Sequence, residues 1–167
     1  MVANIKFAKV KPNAIIPTKR AEDAAFDLYA CIEDYEDWIC IPPHSSKLIP
    51  TGIASAFNPN WAIIFRERGS TGVKNMKINA GVIDSGFRGE YFVSLYNGND
   101  VPVYITKYMD GEQAPEPKNA ILYPYEKAIA QALVIPVPEV NVEEISYDEL
   151  KNIPSERGMG ALGSSNK

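Results

Sequence analysis

The sequence predicts an all-β protein of sandwich, jelly-roll or barrel type, and three observations predict it. Short runs rich in Ile, Val, Tyr and Phe recur along the chain. Clusters such as Pro42-Pro43 and Asn58-Pro59-Asn60 punctuate them. No long segment holds a helical apolar period. A chain of 167 residues with 46% hydrophobic content is long enough for one domain with a substantial core.

Taken in order, the strand candidates begin with Ile5–Val10, an amphipathic run lacking a signal peptide's apolar block. Phe26–Ile32 and Trp38–Ile41 follow, then Lys47–Phe57 and Ala62–Glu67. A short helix is expected over Thr71–Met76. Tyr91–Tyr96 and Val101–Ile105 alternate like half-buried strands. Asp110–Tyr125 holds Gly111, Pro115, Pro117 and Pro124 among polar residues and reads as a long surface loop. Ile129–Val137 and Val142–Ile145 are the last strand candidates, and Tyr147–Asn152 is a second short helix. Residues 1–154 therefore read as one β-rich domain. Residues 155–167 read as a flexible Gly- and Ser-rich C-terminal arm.

Charge and composition exclude some functions. A formal net charge of −4 argues against a nucleic-acid-binding face. No apolar run approaches a membrane span. The 2 cysteines, Cys31 and Cys40, sit in apolar segments and read as reduced thiols of a cytosolic protein. His44 is the single histidine and follows Pro42-Pro43 in a turn, so neither a zinc site nor a Ser-His-Asp or Cys-His machine is expected.

Several segments carry chemistry. Asn79-Ala80-Gly81-Val82-Ile83-Asp84-Ser85-Gly86-Phe87 places an acid at the tight end of an expected hairpin. Backbone groups of its arms can read a small planar ligand, Phe87 can cover that ligand, and Asp84 is a candidate general base. Arg66-Glu67-Arg68-Gly69-Ser70-Thr71-Gly72 turns from a strand into a short helix. Its amides, hydroxyls and the Arg68 guanidinium suit phosphate, while plain helix capping by Ser70 or Thr71 is the competing reading. Asp27, within Ala24-Ala25-Phe26-Asp27-Leu28, can pair with an arginine, hold hydrated Mg²⁺ or face solvent on an edge strand. Gln131 is the one amide in an apolar run and otherwise reads as a satisfied core glutamine. Arg157 among the tail glycines suits a lid over phosphate, although such tails commonly have no function.

The order of these five segments resembles the trimeric dUTPase (deoxyuridine triphosphate nucleotidohydrolase) family, from about Asp23 to Ser165. The resemblance implies a jelly-roll-like β-clip fold in a homotrimer, with active sites shared between chains. It implies hydrolysis of dUTP to dUMP and pyrophosphate, which limits uracil in DNA and supplies dUMP for thymidylate. Asp84 would activate a water for in-line attack on the α-phosphorus. Nucleotide contacts would come from Arg68, Gly69, Ser70, Thr71, Asn79, Gly81, Val82, Phe87, Gln131, Arg157, Leu162, Gly163 and Ser164. Mg²⁺ would sit on the triphosphate, with Asp27 touching its water shell. Backbone around Asn79–Val82 would match uracil, with cytosine leaving buried groups unpaired, and Phe87 would exclude a 2′-OH.

The sequence departs from the family pattern in places. Phe87 stands where Tyr is usual, and Arg68-Gly69-Ser70 reverses the usual Ser-Gly order. Ala128, beside Lys127, replaces the arginine usual before Ile-Ala-Gln. Leu162 replaces the stacking Phe in Gly160-Ala161-Leu162-Gly163-Ser164, and Asp110–Tyr125 is longer than in compact members. Two alternatives follow. One is a nucleotide-binding regulatory role, with a protein partner on Asp110–Tyr125. The other is dCTP deaminase, whose catalytic Glu would fall at Ser94, although Glu90 lies nearby.

Overall fold

Period-two burial sets the faces of the strands. In β5 (Ile53–Phe57) the residues Ile53, Ser55 and Phe57 are buried and the two alanines between them are partly covered. In β9 (Phe92–Asn97) Val93, Leu95 and Asn97 point inward. In this computed structural model residues 2–115 and 119–160 are described. Their contacts divide the chain into two units, Met1–Val137 and Pro138–Lys167.

The first unit is built from small sheets around one core. The remaining strands are β1 (Ile5–Lys9), β2 (Ala25–Leu28), β3 (Trp38–Ile41), β4 (Ser45–Pro50) and β6 (Trp61–Arg66), followed by β7 (Met76–Ile78), β8 (Val82–Ile83), β10 (Val103–Thr106), β11 (Ile121–Pro124) and β12 (Ala130–Pro136). The helix α1 (Gly69–Gly72) lies between β6 and β7. The sheet orders are β1-β5, β11-β10-β3, β2-β12-β6-β8 and β4-β9-β7. Every pairing is antiparallel except β10 with β11. Ile41, Ile49, Ile63, Met76, Leu95 and Ile105 lie at the centre of the core, each with no accessible surface. The expected all-β, jelly-roll-like class is what forms.

Several boundaries differ from expectation. Lys47–Phe57 is two strands, because Gly52 between them has a φ of +66° that only glycine adopts readily. A Cβ on Gly52 would lie 2.7 Å from the Ala14 Cβ, and its amide is held by the Glu90 carboxylate at 2.8 Å. The helix expected over Thr71–Met76 is one turn, Gly69–Gly72, and Met76 opens β7 instead. Asp110–Tyr125 is not all loop, since Ile121–Pro124 pairs with β10 and buries Tyr123. Val142–Ile145 forms no strand. It precedes α2 (Tyr147–Asn152) in the second unit, where the Ser146 hydroxyl accepts from the Glu149 amide at 3.2 Å and the Glu149 carboxylate accepts from the Ser146 amide at 2.8 Å. Cys31 and Cys40 are both free thiols. His44 sits at a turn with φ 48° and pairs with Asp100 at 2.8 Å.

Asn97 is the main polar residue of the core. Its Nδ2 donates to the carbonyls of Ile41, Pro42 and Val101 at 3.1, 3.1 and 2.9 Å, and its Oδ1 accepts from the Asn99 amide at 3.0 Å. This joins the end of β9 to β3 and to the approach of β10. Asn97→Ala removes the donor to these three carbonyls, one of the bonds buried and two part-buried, and should lower stability by about 2–4 kcal/mol. Urea denaturation checks this, and a loss below about 0.5 kcal/mol would contradict it.

Candidate active site

One row of the four-stranded sheet gathers the phosphate-type residues. Gln131 on β12 lies opposite Asp27 on β2 and opposite Arg66 on β6. Just past β6 the chain turns into α1, so Arg68 swings back over that row. Its Nε donates to Asp27 Oδ1 at 2.8 Å and its Nη2 to Oδ2 at 3.3 Å, a two-pronged pair. Its Nη1 also reaches the Ser70 hydroxyl and the Ala128 carbonyl, both at 3.3 Å. Asp27 thus pairs with an arginine, on a strand that is also an edge of its sheet. Gln131 donates through Nε2 to the Glu67 carbonyl at 2.6 Å.

A cavity of about 930 Å³ opens over this row. Asp27, Arg68, Gly69, Ser70 and Gln131 line it, as do Lys19, Arg20, Asp23 and Lys127. Thr71 does not. It is fully buried, and its hydroxyl accepts from the Arg68 amide and donates to the Arg68 carbonyl, each at 3.1 Å. Ser70 is thus the exposed hydroxyl of the turn, while Thr71 closes the turn from inside.

The Asp84 segment lies elsewhere in the same unit. The expected hairpin does not form as a paired ladder, because its two arms belong to different sheets: β8, before the acid, pairs with β6, and β9, after it, pairs with β4 and β7. Gly81 makes the crossing from β7 to β8 feasible. Its φ is +143°, a Cβ there would stand 2.5 Å from the Phe65 Cβ, and its carbonyl accepts from the Phe65 amide at 2.8 Å. The Asn79 amide donates to the Ser94 carbonyl at 3.0 Å. Val82 is exposed. The tight turn at the acid does form, with the Phe87 amide donating to the Asp84 carbonyl at 3.1 Å. Arg88 clasps it through the Ser85 and Phe87 carbonyls at 2.5 and 3.0 Å. The half-exposed Phe87 ring stacks on Tyr91 at 6.4 Å and 11°. Asp84 itself is exposed.

Sheet order separates the two groups. Asp27 is on β2 at one edge and Asp84 follows β8 at the other, three strand spacings away, or about 14 Å. Ile83 pairs with Ile63, whereas Gln131 pairs with Arg66, so Asp84 is also displaced along β6 by about 13 Å. In the second unit, the Arg157 Nε donates to the Gly160 carbonyl at 2.9 Å. Leu162, Gly163 and Ser164 lie outside the described residues.

Comparison with known proteins decides the family. The dUTPase family model matches residues 11–109. The deoxyuridine 5'-triphosphate nucleotidohydrolase of Gloeothece citriformis is 34% identical over 164 residues, covering 96% of this chain and 94% of that protein. This chain belongs to the dUTPase family. A second relative of the same name, from Nautilia profundicola, is 33% identical over 98% of this chain and 99% of its own. Among solved structures, a Staphylococcus bacteriophage 80alpha dUTPase variant with dUpNHpp shares the fold at a TM-score of 0.76 and 18% identity, covering 97% of this chain and 98% of that one.

Glu67 is a residue that sequence reasoning passed over. Its carboxylate accepts from the Ile78 amide at 3.0 Å and ties β7 to the end of β6. Lying between two arginines, it carried no distinguishing signal. The Ile78 amide, then its own amide, hold its carboxyl below the ordinary value of 4.5. A lowered folded-state value means this stabilisation is present above about pH 4.5 and is lost as pH falls through the lowered value. The stability difference between wild type and Glu67→Gln should therefore favour wild type at pH 6 and shrink below pH 4. Urea midpoints across that range check it, and a difference independent of pH would contradict it.

Proposed function

We propose that this dUTPase hydrolyses dUTP to dUMP and pyrophosphate at a site assembled from more than one copy of the chain, in a homotrimer. The observation that carries the shared site is the separation just described. The candidate base and the phosphate cavity stand at opposite edges of one sheet, too far apart to act on one nucleotide. A second copy supplying its Asp84 segment beside the cavity removes that gap.

In this reading the Asp84 carboxylate takes a proton from a water held beside the nucleotide. The water oxygen bonds to the α-phosphorus as the bond to the bridging oxygen of the β-phosphate breaks, and pyrophosphate leaves. Arg68, Ser70 and Gln131 donate to phosphate oxygens, with Gly69 allowing close approach, and Arg157 of the arm adds a guanidinium. Thr71 serves by holding the turn. Asn79, Gly81 and Val82 border the uracil, Phe87 packs on deoxyribose, and Leu162, Gly163 and Ser164 close over the nucleotide.

The donor set suits Mg²⁺. Among the described residues no group of three His, Cys, Asp or Glu side chains is placed to hold an ion. The cavity instead offers separated carboxylates, Asp27 and Asp23, which matches an ion that keeps its waters and binds mainly to phosphates. With Asp27 touching its water shell, Mg²⁺ would neutralise charge on the triphosphate.

Deamination of dCTP is less well supported. Ser94 occupies the place its catalytic acid would need, and the Glu90 carboxylate is engaged with the Gly52 amide. A regulatory role through protein contact, the second reading, draws on the Asp110–Tyr125 segment, whose residues 110–113 are exposed. Pyrophosphate release from dUTP, dCTP, dTTP and UTP with Mg²⁺ separates these readings. Release from dUTP alone is expected, with kcat lowered about 100-fold or more in Asp84→Ala. Ammonia from dCTP would establish deamination, and silence with all four would leave the binding role.

A further inference from the structure

The cavity over the Asp27–Gln131 row is lined by four cations and two carboxylates in a chain whose formal net charge is −4. Two of the cations are already matched. Arg68 is paired with Asp27 at 2.8 Å, and Arg20 with Asp23 at 2.9 Å. The positive surplus of the cavity therefore rests on Lys19 and Lys127.

These two lysines differ. The Lys19 ammonium donates to the carbonyls of Asp23, Arg20 and Ala21 at 2.7, 3.3 and 3.5 Å. Carbonyls fix its position without cancelling its charge, so it also holds the loop before β2 in shape. Lys127 is exposed, and among the described residues its ammonium has no hydrogen-bond or ion-pair partner. Its backbone is anchored, because its amide donates to the Pro124 carbonyl at 3.0 Å and the next residue, Ala128, is buried with its carbonyl held by Arg68 and by the Tyr123 hydroxyl. A rigid root thus carries a flexible, unmatched charge at the cavity wall.

We propose that Lys127 is an additional phosphate-binding residue, supplying the cavity with a positive charge that Arg68, matched by Asp27, does not. The proposal rests on the reading of this cavity as the triphosphate site. An ammonium on a flexible stem binds as a point charge and accommodates a polyphosphate without fixed geometry.

The test uses the full chain and two probes, inorganic tripolyphosphate and deoxyuridine, which carries no phosphate. Lys127→Gln should weaken tripolyphosphate binding about five- to twenty-fold by calorimetry and raise the KM for dUTP by a similar factor, with kcat within about three-fold. Lys127→Arg should restore both, and deoxyuridine affinity should not change. Since Lys127 is exposed, neither variant threatens folding. Should wild type bind tripolyphosphate in a Lys127-dependent way yet release nothing from dUTP, the hydrolytic reading fails while this one stands. Tripolyphosphate binding by Lys127→Gln equal to wild type would overturn it, as would an equal loss of deoxyuridine affinity.

Discussion

The double pairing of β12 is the constraint on which the site depends. One strand fixes Gln131 against Asp27 on one side and against Arg66 on the other. Backbone hydrogen bonds set that register, and a slip of one residue would turn Gln131 toward the opposite face. Two residues past Arg66, Arg68 can reach Asp27 because the register has brought β2 and the end of β6 level. The guanidinium then ties together the ends of three strands and the first turn of α1, through Asp27, Ala128 and Ser70. At this half-exposed position the pair adds modest stability. Its larger effect is to orient the residues that face the cavity.

The same sheet order that builds the proposed phosphate half leaves the proposed base outside it. β8 pairs with the far side of β6 at its central residues, Ile63 and Ile64, and Asp84 follows it toward that strand's beginning. The crossing from β7 to β8 depends on Gly81, whose Cα packs directly against Phe65. The geometry leaves the proposed site incomplete within a single chain, and the proposal completes it with a second copy.

Much of this was legible in the sequence, and the rest was hidden for physical reasons. Long strands with period-two burial, such as β9 and β12, announce themselves by pattern. β7, β8 and β11 span only a few residues, too short for a period to emerge, and β11 was concealed among prolines and polar residues. The break at Gly52 looked like strand interior because apolar Leu48 and Ile49 precede it and Ile53 follows it. Asp27, Arg68, Ser70 and Gln131 stood out as polar groups set in apolar or glycine-rich runs, and the structure brings them together. That Thr71 faces inward while Ser70 faces the cavity is decided by one turn of helix, which spacing alone does not resolve. Lys19 and Lys127 look like ordinary surface lysines until the pairing of the two arginines is known. Partner choice between strands was not legible at all, since alternation fixes which face a residue takes and not which strand it meets.

In the proposed shared site, Asp84 and the Arg68 cavity act from different copies of the chain. Subunit complementation tests it most directly. Asp84→Ala and Arg68→Gln proteins, each inactive alone, would be mixed, dissociated and reassembled, and pyrophosphate release from dUTP measured. A shared site predicts recovery of about a quarter of wild-type activity, because random assembly pairs an intact Asp84 with an intact Arg68 at that frequency. No recovery from properly reassembled oligomers would place both residues in one chain's site and contradict the account.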